Sequence, residues 1–167
     1  TEYIVDGNNN LAASITPHHM ALSRNALFDG GIRPHNFCLP VLKREHHKKA
    51  LINMAVSGNP KFFLGTDTAP HQKHDKESTC GCAGVFNATY CIPILAEIFD
   101  QNDKIEMLEK FVSINGANHY KKPINKDTIK LRKYENPIKF EETLKFGEIE
   151  IVNFQPNFPV YWNVDLD

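Results

Sequence analysis

A chain of 167 residues with 19 lysines and arginines against 20 aspartates and glutamates carries a formal charge of -1, so it has no basic excess with which to hold nucleic acid or an anionic lipid surface. Hydrophobic residues make up 41% and charged residues 23%, the balance of a globular protein. No apolar run approaches the roughly 20 residues that span a bilayer. The four cysteines, Cys38, Cys80, Cys82 and Cys91, show no repeated paired spacing; they imply no disulfide framework and suit a reducing cytoplasm.

Tyr3, Ile4 and Val5 are apolar and lead into Asp6-Gly7-Asn8-Asn9-Asn10, a strong loop signal, so Thr1 to Asn10 reads as the tail of something upstream. With neither Met nor a basic stretch before an apolar one, Thr1 does not look like a natural start. Leu11 to Thr16 predicts a short strand stopped by Pro17. The His18-His19 pair that follows is a poor metal candidate, because ligands on one helix face stand three or four residues apart and adjacent side chains point away from each other. Asp29-Gly30-Gly31 marks a turn, Arg33-Pro34 cannot continue a helix, and Asn36 to Leu42 reads as extended chain bent at Pro40. Lys43 to Ser57 predicts the clearest helix. Ala50, Leu51, Met54 and Ala55 recur on one face, Lys43, Arg44, Glu45, Lys48 and Lys49 face water, and Gly58 takes the C′ position. His46 and His47 on this helix read as solvated. Strand, helix and the next apolar run make a βαβ unit with a parallel pair.

That next run, Phe62-Phe63-Leu64 between Pro60 and Gly65, predicts a buried strand that delivers Asp67 into a turn broken by Pro70, with His71 four residues on. A carboxylate at the C-terminal end of such a strand is placed to bind a metal or move a proton, and the imidazole to hold an anion. Asp followed by Thr and Pro is also an ordinary turn or helix cap. The loop from His71 to Gly84 contains Cys80-Gly81-Cys82-Ala83-Gly84. Its single spacer is too tight for a zinc knuckle, and its glycines suit backbone N–H groups that approach a ligand closely. Val85 to Phe99 predicts a buried apolar helix interrupted by Pro93. Lys104 to Ile114 predicts an amphipathic helix that packs through Ile105, Leu108, Phe111 and Val112 and ends near Gly116. Past Tyr120 the composition shifts. Thr128 to Tyr134 alternates like a strand, Ile149 to Val152 does so weakly, and the last stretch reads as extended chain anchored by Phe154, Phe158, Tyr161 and Trp162.

In this order, Asn10-Leu11-Ala12-Ala13-Ser14-Ile15-Thr16-Pro17, Gly31-Ile32-Arg33-Pro34-His35, Cys38-Leu39-Pro40-Val41-Leu42-Lys43-Arg44, Phe63-Leu64-Gly65-Thr66-Asp67-Thr68-Ala69-Pro70-His71 and Lys76-Glu77-Ser78-Thr79-Cys80-Gly81-Cys82-Ala83-Gly84 resemble the C-terminal part of the type II dihydroorotases, in the amidohydrolase superfamily. The resemblance runs from about Asp6 to about Tyr120, and the remainder matches only in character. It implies an α/β fold, the C-terminal part of a (β/α)8 TIM barrel, with Leu11 to Thr16 as strand seven and Lys61 to Asp67 as strand eight. Residues 1–120 would then be the C-terminal portion of a metal-dependent hydrolase barrel, and residues 121–167 an extension wrapping over it. The family's His-x-His pair, carboxylated bridging lysine and further metal-binding histidines have no counterpart here, which implies a fragment inactive by itself.

By the same resemblance the activity is the reversible, zinc-dependent hydrolysis of (S)-dihydroorotate to N-carbamoyl-L-aspartate in pyrimidine biosynthesis, at a binuclear zinc site most of whose ligands lie upstream. Asp67 matches a zinc ligand that is also the catalytic proton shuttle, and His71 a contact to the substrate carboxylate. Leu39 and Ala83 match positions whose backbone groups hydrogen-bond the substrate. Thr66 and Thr68 fall to supporting roles and Cys38 to packing. The implied partners are the small-molecule substrate, the missing N-terminal part of the barrel and a second copy in a homodimer, with a cytoplasmic location and neither nucleic acid nor membrane. Two other readings share these residues. One is a different cyclic-amide hydrolase with the same strand-eight aspartate, against which Cys80 to Gly84 and the His71 spacing speak. The other is a non-catalytic homologue fragment that binds another chain through an open strand edge.

Overall fold

The computed structural model describes residues 1–8 and 10–165; Asn9, in the loop expected after Asp6, and Leu166 and Asp167, at the end of the expected extension, lie outside the described residues. The first segment, which the sequence presents as the tail of something upstream, forms a short helix, α1 (Glu2–Asp6). Carbonyls at a helix end lack intrahelical partners, and here the Lys61 ammonium supplies them, donating to Ile4 O, Val5 O and Gly7 O at 3.1, 2.9 and 2.6 Å.

Strand β1 (Ala13–Ile15) is shorter than the expected Leu11 to Thr16. Pro17 both stops it and opens helix α2 (Pro17–Ala21), where a missing N–H is harmless, and Thr16 caps that helix by accepting from the His19 N–H. Two 3-10 turns follow, Arg24–Leu27 and Pro34–Asn36. Helix α3 (Glu45–Val56) forms within the expected bounds, and Gly58 at φ 72° closes it. Strand β2 (Phe62–Leu64) then pairs with β1 in parallel, Ala13 opposite Phe62 and Ile15 opposite Leu64, so the expected βαβ unit is present.

The stretch expected as one helix from Val85 to Phe99 divides in two. Val85 and Phe86 bridge to Thr68 and Asn153 as extended chain, and helix α5 (Cys91–Asp100) begins only after the turn at Ala88–Tyr90. Pro93 sets this boundary: a proline is tolerated in a helix's first turn, where its missing N–H would have had no acceptor, and not in its middle. Before α5 comes the four-residue helix α4 (Lys73–Lys76), inside the loop that the sequence presents as irregular.

The expected helix from Lys104 to Ile114 forms as a 3-10 turn at Ile105–Met107 and a π turn at Lys110–Ile114, and it continues as α6 (Asn115–His119) past Gly116. Leu108 and Phe111 face the core as expected. Gly116 does not end the helix; a Cβ there would stand 3.3 Å from the Phe63 ring, so glycine lets α6 lie against β2. Asn115 fixes that contact by donating to Phe62 O at 3.0 Å.

Past Tyr120, β3 (Lys130–Lys133) pairs antiparallel with β6 (Trp162–Asp165), and β4 (Thr143–Phe146) with β5 (Ile149–Val152) across a turn at Gly147. Phe154 and Val160 join Ile15, Met20, Leu22, Phe62, Ile94, Leu95, Phe99 and Phe111 in one buried cluster, so residues from both sides of Tyr120 share a core. Buried Glu97 on α5 ties the two: its Oε2 accepts from the Tyr161 N–H at 2.8 Å. No helix among the described residues is long and apolar enough to cross a membrane.

The thiols differ sharply in setting. Cys80 is exposed, Cys38 and Cys91 are buried, and burial pushes the Cys91 thiol up from 9.0 to about 11. Native Cys91 therefore keeps its proton across that window while an unfolded chain loses it, so its contribution to stability falls as pH rises past 9.0. A thiol-alkylating reagent at pH 9 is expected to label Cys80 promptly, and Cys38 and Cys91 only in denaturant; peptide mass mapping reads the order.

Candidate active site

Both parallel strands release their chains at the same end of the sheet, and every residue singled out from the sequence lies on the loops beyond that end. Gly65 lets them start close together, since a Cβ there would sit 2.6 Å from Ser14 Cβ. Asp67 follows in the left-handed region, at φ 46°, with a side chain about half exposed (51%). Aspartate tolerates that region better than most residues, through its short polar side chain.

Behind Asp67 stands His18, 1% exposed, with Nε2 3.7 Å from Asp67 Oδ2. Asn87 sets the protonation of this ring. Its amide nitrogen donates to Thr66 O at 2.7 Å and to His18 Nδ1 at 3.3 Å. An amide NH2 only donates, so Nδ1 accepts and the ring proton sits on Nε2, facing the carboxylate. Burial, reinforced by His19, pushes His18 down to about 3, which keeps the ring neutral. Thr68 Oγ1 accepts from the Asn87 N–H at 3.1 Å, so Asn87 is held both by the Thr68 hydroxyl and by the Thr66 carbonyl.

The two adjacent histidines do not diverge. Their ring centroids are 4.6 Å apart, and ligand atoms of His18, His19 and Cys38 lie within 4.8 Å of one another. The reason is the single turn of α2, from which His18 tucks against Phe154 while His19 reaches across to Pro40. His19 nonetheless has both nitrogens engaged, Nε2 donating to Pro40 O at 2.8 Å and Nδ1 meeting Thr16 Oγ1 at 2.6 Å. With burial also raising the Cys38 thiol, the trio is a hydrogen-bonded bracket under the 38–40 segment and poorly suited to a metal. Asp67 fits a metal better: a half-exposed carboxylate whose ion-pair neighbour among the described residues is a neutral imidazole.

His71 donates through Nε2 to Ala83 O at 3.2 Å, which joins the two residues directly. Gly84, at φ 143°, makes that possible, since a Cβ would lie 2.6 Å from Ala69 Cβ and 2.9 Å from His71 Nε2. Its N–H is committed to Phe37 O at 3.0 Å. The glycine thus serves the approach of one protein segment to another, where the sequence suggested approach to a ligand. The same hydrogen bond brings Ala83 beside the segment carrying Leu39, which is 62% exposed and precedes a cis peptide bond to Pro40.

Lys76 and His35 complete the assembly, and neither stood out as a site residue in the sequence. Lys76, 1% exposed, donates to the carbonyls of Phe37, Cys82 and Gly84. His35 Nε2 pairs with Glu77 at 2.9 Å, joining the Pro34–Asn36 turn to the end of α4. A cleft of about 520 Å³ lined by Arg33, His35, Glu77 and Gln155 lies to one side and includes none of Leu39, Asp67, His71 and Ala83.

Fold and site together define an α/β protein with a candidate functional site on loops at the carboxyl ends of parallel strands. The comparisons with known proteins narrow this class. Over nearly its whole length the chain is homologous to the C-terminal part of proteins named dihydroorotase. The dihydroorotase of a Chelativorans species is 45% identical over 164 residues, 98% of this chain and 47% of the relative. That of Microcystis aeruginosa is 47% identical over 163 residues, with the same coverage. Among solved structures, dihydroorotase from Campylobacter jejuni superimposes with a TM-score of 0.81 at 33% identity, and that of Saccharomyces cerevisiae in complex with 5-fluoroorotic acid with 0.77 at 31%; each match covers 98% of this chain and 46% of the other. No protein-family model matches the chain. The chain spans about half the length of these relatives. Similarity over 98% also takes in residues beyond Tyr120, which the sequence alone matched only in character.

Gly84→Ala is expected to destabilise the fold by on the order of 3 kcal/mol, from backbone strain at positive φ and the clash with Ala69 and His71. Denaturant unfolding measures the loss, and a variant structure is expected to show His71 displaced from Ala83.

Proposed function

We propose that this chain is the C-terminal portion of a dihydroorotase, which hydrolyses (S)-dihydroorotate reversibly to N-carbamoyl-L-aspartate in pyrimidine biosynthesis. The observation that carries the reading is Asp67 held at the end of β2 on the same side as His71, Ala83 and Leu39, in a chain 45% identical to a dihydroorotase across 98% of its length. In this reading residues 1–120 supply strands seven and eight of a (β/α)8 barrel and residues 121–167 wrap over it. The remaining strands come from the rest of the barrel, and the enzyme works in the cytoplasm as a homodimer.

Asp67 would be the zinc ligand contributed by this chain, with the other ligands of a binuclear site lying outside it. When bound, zinc makes water acidic enough to attack near neutral pH and polarises the ring amide carbonyl. The chain's own residues do the rest. As water adds to the ring carbonyl carbon, Asp67 takes one of its two protons and returns it to the ring nitrogen as the C–N bond breaks, so the ring N–H becomes the carbamoyl NH2. The second proton stays with the new carboxyl group and then leaves to solvent, giving the carboxylate. His18, buried behind Asp67 with Nε2 3.7 Å from its Oδ2, would limit the carboxylate's movement on that side by packing rather than by a hydrogen bond. His71 holds the carboxylate that the substrate carries into the site. Backbone groups of Leu39 and Ala83 hold the ring's polar edge, so a side-chain substitution at those positions need not abolish binding.

In the complete protein, Asp67→Asn is expected to lower kcat by about 10³-fold while leaving the fold intact. Turnover like that of the wild type in a purified, zinc-loaded variant would remove Asp67 from the chemistry. His71→Ala is expected to raise KM about tenfold with zinc retained; an unchanged KM would take away its role with the substrate carboxylate.

A further inference from the structure

We propose that Lys76 is a positioning residue for substrate binding: its buried ammonium holds the Phe37, Cys82 and Gly84 carbonyls together and so sets where Leu39 and Ala83 present their backbone groups. The inference rests on the functional reading above and extends it to a residue that touches no substrate.

The geometry is specific. An ammonium has three N–H donors, and Lys76 places them on Phe37 O at 2.8 Å, Cys82 O at 2.9 Å and Gly84 O at 2.7 Å. Cys82 and Gly84 flank Ala83, and Phe37 stands two residues before Leu39. One cation therefore grips the chain on both sides of one proposed contact and just ahead of the other. Phe37 O also accepts from the Gly84 N–H, so the same carbonyl joins the two loops directly.

No carboxylate among the described residues pairs with Lys76. Burial pushes it down to about 8, which leaves the ammonium predominant at neutral pH. Burying an ammonium without an anion is unfavourable unless hydrogen bonds satisfy it, and a carbonyl trio does so only in one arrangement. That requirement makes the cation a gauge of loop position. The His35 to Glu77 pair and the Gln72 bridge to Ile151 hold α4 from either side, so the lysine is itself presented from a braced element.

The test uses the complete enzyme with Lys76→Met, which fills the space and removes the donors, and steady-state kinetics with dihydroorotate beside zinc content and thermal midpoint. Contacts made equally in ground and transition states act on KM, so KM is expected to rise about tenfold with kcat changed by less than about threefold and zinc retained. A purely structural lysine would instead lower the thermal midpoint and the active fraction at unchanged KM, and that result overturns the proposal. If the methionine variant does not fold, Lys76→Gln, which keeps two donors, faces the same two outcomes. Failure of both to fold assigns Lys76 to the fold alone and likewise overturns the proposal. A wild-type enzyme that does not turn over dihydroorotate removes the functional reading and this inference together. A competent wild type with an unaltered KM in the variant removes the Lys76 inference alone.

Discussion

Parallel pairing of Ala13 with Phe62, Ser14 with Phe63 and Ile15 with Leu64 forces both strands to release their chains at one end of the sheet. Everything assembled there depends on that direction. An antiparallel pair would have sent the loop carrying Leu39 and the loop carrying Asp67 to opposite ends. The crossover needs a helix to return the chain, which α3 provides, and Gly65 lets the chain leaving β2 pass close against Ser14 of β1.

Two lysines solve the same problem at opposite ends of β2. Lys61 gathers the carbonyls at the end of α1, and Lys76 gathers those of the loops beyond the strand. In each case a cation stands where secondary structure leaves acceptors without donors, a substitute for the ladder that irregular chain lacks. The difference is burial. Lys61 is partly exposed and can be hydrated, whereas Lys76 is sealed in and depends wholly on its carbonyls.

The local features of the chain were legible in the sequence. The apolar run before Gly65, the amphipathic pattern of α3 and the glycine at its end follow from nearest-neighbour physics, and they place Asp67 and His71 at a strand tip. Leu39 and Ala83 came from motif order alone, since a backbone contact leaves no mark on side-chain type. His18, Asn87 and Lys76 were missed because their roles arise between distant segments: Lys76 meets Phe37 across 39 positions, and Asn87 meets His18 across 69. The helix boundaries at Pro93 and Gly116 failed for a related reason. Proline was read as an interruption where it fits a first turn, and glycine as a terminator where it is a point of close packing against Phe63.

Between Val152 and Tyr161 the chain is joined to the body by its main-chain N–H groups as well as by the buried side chains of Phe154 and Val160. Glu97 accepts from the Tyr161 N–H, Phe154 N–H donates to Phe86 O, and Val152 N–H to His71 O. Bonds of that kind depend on how many residues separate two attachment points and hardly at all on which residues they are. Spacing is therefore constrained alongside side-chain identity: the exposed positions Asn157 and Pro159 are free to change, whereas inserting or deleting one residue shifts the chain along the core, lifts Phe154 off His18 and carries the disturbance to the carboxylate beside it.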